Sequence, residues 1–201
     1  MKTIIFILML FVAVNLSGQS KLDLYKLTLN DSILSELTIE KLTDMLGRPS
    51  AVENQSQLIP DSRFGPVIFY HEKGLKISFE TKNSDPQQRV HSFRVYLVKS
   101  WDIKNKVFFY PYTGEILPVL DANMKLNNIL PLFDKYRTEV ISADSIKKLK
   151  KEMFEKRGMY YNPDTKQYNY ISVLNSDGSK LNLFCEELTK YLEEFEVTFS
   201  H

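Results

Sequence analysis

Apolar residues recur along this chain in two periods, and the periods alternate in a fixed order. Ile39, Leu42, Met45 and Leu46 are spaced to share one face of a helix. Thr38 can cap its start, Gly47 suits a left-handed residue just past its end, and Pro49 blocks continuation. The period then drops to two. Val67 to Tyr70 predicts a strand and Glu72-Lys73-Gly74 a turn. Leu75, Ile77 and Phe79 alternate with Lys76, Ser78 and Glu80 as the returning strand. Phe93, Val95 and Leu97 alternate with Arg94 and Tyr96 as a third strand, and Lys21 to Leu29 can supply another ahead of the helix.

The second half repeats this order. Leu126, Ile129 and Leu130 share a helix face that Pro131 ends or kinks. Tyr168 to Leu174 predicts a strand, Asp177-Gly178 a turn, and Leu181, Leu183 and Cys185 the returning strand; Phe195, Val197 and Phe199 alternate in the last. The offsets are constant within each element. Leu42 to Leu126 and Met45 to Ile129 are 84 residues apart, Leu75 to Leu181 and Ile77 to Leu183 are 106 apart, and Phe93 to Phe195 and Val95 to Val197 are 102 apart. The second copy thus carries 22 more residues between helix and hairpin. They hold a helix pattern of their own. Ser142 stands at its start, Ile146, Leu149 and Met153 lie on one side, and Gly158 can close it. Lys147, Lys148, Lys150, Lys151, Lys156 and Arg157 lie on the other side.

This pattern predicts an α+β fold of two tandem helix-plus-antiparallel-sheet units able to share one continuous sheet. Residues 21–100 form the first unit, and residues 101–201 the second, with a basic helix inserted at 142–157. The aromatic segment Trp101, Phe108, Phe109, Tyr110 and Tyr112 falls at the junction, where it is expected to pack between the two lobes.

The N-terminus changes the picture of where the chain works. Lys2 precedes eleven apolar residues, Ile4 to Val14, and the small-residue exit Ser17-Gly18 follows. That layout predicts a secretory signal peptide over residues 1–19 and an exported protein, periplasmic or extracellular. The apolar run is too short for a bilayer, which needs about 20 residues, and no later run reaches that length, so no transmembrane anchor is expected in the mature chain.

The run Leu37-Thr38-Ile39-Glu40-Lys41-Leu42-Thr43-Asp44-Met45-Leu46-Gly47-Arg48-Pro49-Ser50, followed by a hairpin with Gly74 before its alternating strand, resembles a tandem small α/β module of exported bacterial proteins. The beta-lactamase inhibitor protein and the outer-membrane assembly lipoprotein are of this type, as are uncharacterised envelope proteins of Bacteroidetes. The resemblance implies one concave sheet built from two units and used to grip a partner protein. The second copy departs from the motif, with Pro131 at the position of Gly47 and Phe133 at that of Pro49. A single cysteine excludes the inhibitor's disulfides, so no partner-contacting residue is carried over.

Composition narrows the chemistry. There are 26 Lys and Arg against 25 Asp and Glu, which argues against nucleic-acid binding driven by overall charge. One cysteine and three histidines leave no metal-site spacing, and no nucleotide or nucleophile-elbow motif occurs among the seven glycines. No catalytic residue, metal or cofactor is therefore assigned. His71 is expected beside a turn, partly solvated. Cys185, which shares the parity of Leu181, is expected buried and unreactive. Glu193-Glu194 reads as surface charge. The expectation is a non-enzymatic protein-binding module of inhibitor, toxin-neutralising or envelope-interaction type. Trp101, Tyr110, Tyr112, Lys147, Lys150 and Lys151 are its candidate partner-binding residues. The alternative is a periplasmic hydrolase or small-ligand-binding protein with a site between the lobes, where His71 or His91 would stand beside carboxylates.

Overall fold

The computed structural model describes residues 23–54, 64–80, 89–114, 117, 120–134, 136–156, 168–187 and 189–200. The signal-peptide segment 1–19 lies outside the described residues, as do Arg157 and Gly158.

The alternating runs form one sheet, and its two faces have different fates. A short ribbon, β1 (Thr28–Leu29) and β2 (Ser32–Ile33), leads to helix α1 (Ile39–Leu46). The first four sheet strands are β3 (Ala51–Asn54), β4 (Phe64–Tyr70), β5 (Leu75–Glu80) and β6 (Arg89–Tyr96). A second ribbon, β7 (Ser100–Asp102) and β8 (Val107–Phe109), interrupts the sheet. Helix α2 (Leu126–Ile129), strand β9 (Arg137–Ile141), helix α3 (Ala143–Lys156) and strands β10 (Tyr168–Leu174), β11 (Lys180–Glu186) and β12 (Leu192–Thr198) follow. The eight-stranded antiparallel sheet has the order β3-β4-β5-β6-β12-β11-β10-β9, so the α+β class is observed in one continuous sheet.

The order is the same read inward from either edge, and so is the register. Val52 faces Ile68, Ile68 faces Ile77, and Ile77 faces Phe93 in the first half. Val140 faces Ile171, Ile171 faces Leu183, and Leu183 faces Phe195 in the second. The halves meet where β6 pairs with β12, and there Arg94 lies opposite Glu196. Main-chain hydrogen bonds between these two strands join the halves, in place of the expected aromatic packing between lobes.

One sheet face carries the core. Ile68, Leu75, Ile77, Phe79, Phe93, Val95, Ile171, Leu181, Leu183, Phe195 and Val197 are all buried on it. Leu42 of α1, Ile129 of α2 and Phe133 close that face, together with Leu24, Leu29, Leu34 and Leu37 of the leading segment. Thr38 caps α1 by accepting from the Lys41 N–H at 3.2 Å, and Gly47 ends it at φ 81°. Pro131 does not end α2 outright: the helix tightens into a 3-10 turn over Leu130–Phe133. The expected strand at Lys21 to Leu29 is a 3-10 turn, Leu24–Lys26, followed by only two residues of β1. Asp23 takes the Tyr25 N–H and starts that turn, a local bond that competes with strand pairing. Cys185 is buried as a free thiol, and desolvation pushes it up to about 11. Among the described residues, no helix is long and apolar enough to cross a membrane.

Candidate functional site

The opposite face of the first half is covered by the β7–β8 hairpin. Two-residue periodicity gives the hairpin two faces. Asp102 and Phe109 point toward the sheet, and Trp101 pairs with Phe108 on the other side. Phe109 is buried in a second apolar cluster with Val67, Phe69 and Tyr96, stacked on Tyr96 with ring centroids 3.9 Å apart. The tip reaches edge strand β3, where Lys104 Nζ lies 2.6 Å from Glu53 Oε2.

Beneath the hairpin lies a polar contact that the sequence does not advertise. His71 Nε2 is 2.9 Å from Asp102 Oδ2. The His71 side chain is only 3% exposed, against the expectation of a partly solvated turn residue. Its ring packs against both Phe69, at 5.6 Å, and Phe109, at 4.5 Å. With Asp102 ionised, Nε2 must carry the proton it donates. Nδ1 is buried without a hydrogen-bond partner. Asp102 is fixed in turn by the Asn105 side chain at 2.9 Å and by the Lys104 and Asn105 N–H groups at 3.1 Å. Burial alone would raise its carboxyl. The bonds from Asn105 and His71 outweigh burial and hold it below the ordinary carboxylate range.

The main chain locks the same unit. The Tyr110 N–H donates to the His71 carbonyl, the Tyr112 N–H to the Tyr96 carbonyl, and the Tyr96 N–H to the Gly74 carbonyl. Gly74 sits at φ 63°, and a Cβ there would collide with the backbone at Tyr110 and Tyr112. Glycine is needed here both for its left-handed conformation and for the close approach of the passing chain.

This rigid backing presents aromatics to solvent. Trp101 and Tyr110 are each 48% exposed, and Phe108 and Ile103 are exposed beside them. Trp101 meets Phe108 edge to face at 4.6 Å, while Lys99 Nζ lies 4.3 Å above the Phe108 ring and 5.2 Å from that of Tyr110. Of the candidate residues, Trp101 and Tyr110 belong to this patch. Tyr112 does not: it is half-buried against the main core. Lys147, Lys150 and Lys151 are exposed on α3, next to the far edge strand β9 in sequence. Four strand steps separate β6 from β9, about 19 Å at 4.8 Å per step, so the helix and the hairpin flank opposite ends of the sheet.

The seam between the halves carries a charged cluster on the same sheet face that the hairpin covers in the first half. Arg94 Nη2 lies 2.7 Å from Glu196 and Nη1 3.5 Å from Glu194, with the guanidinium 4.5 Å from the centre of the Phe184 ring. Burial opposes the guanidinium charge, but the two carboxylates outweigh it and hold Arg94 protonated. Glu194 is buried, against its reading as surface charge, and desolvation raises its carboxyl. Its strand parity places it beside Arg94, which pairs with it.

His71 of the first unit does meet a carboxylate, that of Asp102 at the start of the second, on the junction hairpin that lies over the first-half strands. Among the described residues, no group of three or more His, Cys, Asp or Glu side chains could hold a metal ion. Compared with protein-family models, curated proteins and solved structures, the chain matches none.

Proposed function

We propose that the protein is an exported, non-enzymatic binding module of two tandem units, of inhibitor, toxin-neutralising or envelope-interaction type. It engages a partner protein through the outer face of the β7–β8 hairpin. One observation carries this reading: Trp101, Phe108 and Tyr110 stand exposed on a hairpin whose reverse side is fixed by Phe109, Asp102 and the backbone around Gly74. Aromatic side chains offer large contact area at low entropic cost, and a rigid base reduces what must still be ordered on binding. The patch lies over the first half and is built from the segment that joins the two halves. It could therefore diverge without disturbing sheet register. The segment 1–19 supports export, and the tandem arrangement is supported by matching registers in the two halves.

Crosslinking and affinity capture with the full chain from the native host's envelope tests this. Partner recovery is expected to fall at least ~10-fold in Trp101→Ala and in Tyr110→Ala, with the fold intact. Recovery that is equal in all three proteins refutes the reading. The second reading, a hydrolase, is favoured by the His71–Asp102 contact alone. Against it, the ring is buried, packed against Phe69 and Phe109, and Ser50 Oγ accepts from the His71 backbone N–H at 2.9 Å instead of meeting the ring. Turnover abolished by His71→Asn in a folded variant would revive it.

A further inference from the structure

Helix α3 carries a second exposed apolar surface among the described residues, and its chemistry differs from that of the hairpin. Its start is tied down. Ala143 is buried and its N–H donates to Asn169 Oδ1 at 3.3 Å, while Ser142 Oγ accepts from the Ser145 N–H at 3.2 Å. Beyond Ile146 the helix exposes apolar side chains. Leu149 is 63% exposed and Met153 45%. At 3.6 residues per turn, Ile146, Leu149 and Met153 fall within a sector of about 60°. Lys150 and Lys156 stand at its two borders, with Lys147, Lys148 and Lys151 further round. The helix carries five lysines against three acids, Asp144, Glu152 and Glu155. Val140 and Ile141, just before it on edge strand β9, are also exposed.

We propose that α3 is an interfacial helix that seats the protein on an anionic phospholipid surface. In this arrangement Leu149 and Met153 enter the acyl boundary by about 5–10 Å and the flanking lysines reach the phosphates. Charge complementarity selects the anionic headgroup. The stripe is aliphatic and bordered by lysine, and lysine is depleted from the cores of protein interfaces, where aromatic residues are enriched. The helix is about 21 Å long, so it lies in the membrane plane and does not cross it. The anchored N-terminus sets how the sheet stands above the surface. None of this depends on the hairpin's partner.

The test is co-sedimentation of the full chain with vesicles of phosphatidylcholine alone and of phosphatidylcholine doped with phosphatidylglycerol, at low and raised salt. The apolar segment 4–14 is common to every variant, so the readout is the difference between variants. Partitioning onto the anionic vesicles is expected to exceed that onto phosphatidylcholine by at least ~10-fold and to weaken with salt. The double variant Leu149→Asp, Met153→Asp and the triple variant Lys147→Glu, Lys150→Glu, Lys151→Glu should each lose at least ~10-fold, with unchanged circular dichroism. A Leu149→Trp reporter should shift its emission to the blue on the anionic vesicles only. Equal binding to both vesicle types overturns the proposal, as does full binding by the Leu149, Met153 variant. Binding to polyglutamate that needs the lysines but not Leu149 or Met153, without vesicle binding, overturns it in favour of an acidic protein partner.

Discussion

The β7–β8 hairpin and helix α3 both expose apolar side chains, yet they are built in opposite ways. The hairpin has a buried reverse side: Phe109 stacks on Tyr96, Asp102 holds His71, and the backbone past Gly74 is hydrogen-bonded to the sheet. Its exposed aromatics sit on a fixed platform. Helix α3 is tied at one end, and its apolar stripe has the solvated lysines as its nearest borders. The contrast teaches that exposed apolar area does not by itself identify a partner. A rigid aromatic surface suits a shaped one, and a lysine-bordered aliphatic stripe suits a fluid one.

The comparison breaks most easily at Phe109. Phe109→Ala is expected to cost about 3–5 kcal/mol in chemical denaturation, because it empties a buried site under the hairpin. Leu149→Ala should cost no more than about 0.5 kcal/mol, as is usual for an exposed position. Equal costs would remove the distinction between platform and free helix.

Asp102→Ala sharpens it. The substitution strands the buried His71 Nε2–H and should cost about 1–3 kcal/mol, with Trp101 emission reporting a loosened hairpin. Unchanged emission and stability would mean that Phe109 and the backbone suffice.

The smallest effect expected is that of pH. The Asp102 carboxyl is held below its ordinary value in the folded state, so its stabilisation is fully present above the unfolded value, about pH 4. It is lost as pH falls through the depressed folded value. Trp101 emission in an acid titration should therefore show the hairpin loosening below pH 4, and Asp102→Asn should remove that transition. An acid transition that survives in Asp102→Asn would assign it to other carboxyls.

Much of the sheet was legible because its signal is local. The alternation of Leu75, Ile77 and Phe79 against Lys76 and Ser78 requires one buried face, and the constant 106- and 102-residue offsets reappear as equal registers. Strand β9 carries no such signal: Arg137, Glu139 and the exposed Val140 and Ile141 give an edge strand no buried face to mark. Strands β7 and β8, at three residues each, are too short for an alternation to show. The position of the junction aromatics is not legible in the same way, because period alone does not say which face of a sheet a following ribbon will cross.

By itself, the sequence determined the α+β class, the cap and stop of α1, the strand parities and the burial of Cys185, all of which follow from near-neighbour periodicity. Only the tertiary structure decided that His71 is buried on Asp102, that Glu194 is buried beside Arg94, and that Trp101 and Tyr110 face solvent while Tyr112 packs against the core. Those outcomes depend on groups 31 and 100 residues apart in the chain, brought together by sheet register and by the path of the hairpin. Periodicity carries no record of such encounters, because each side chain's environment is supplied by a segment that its own neighbours do not specify.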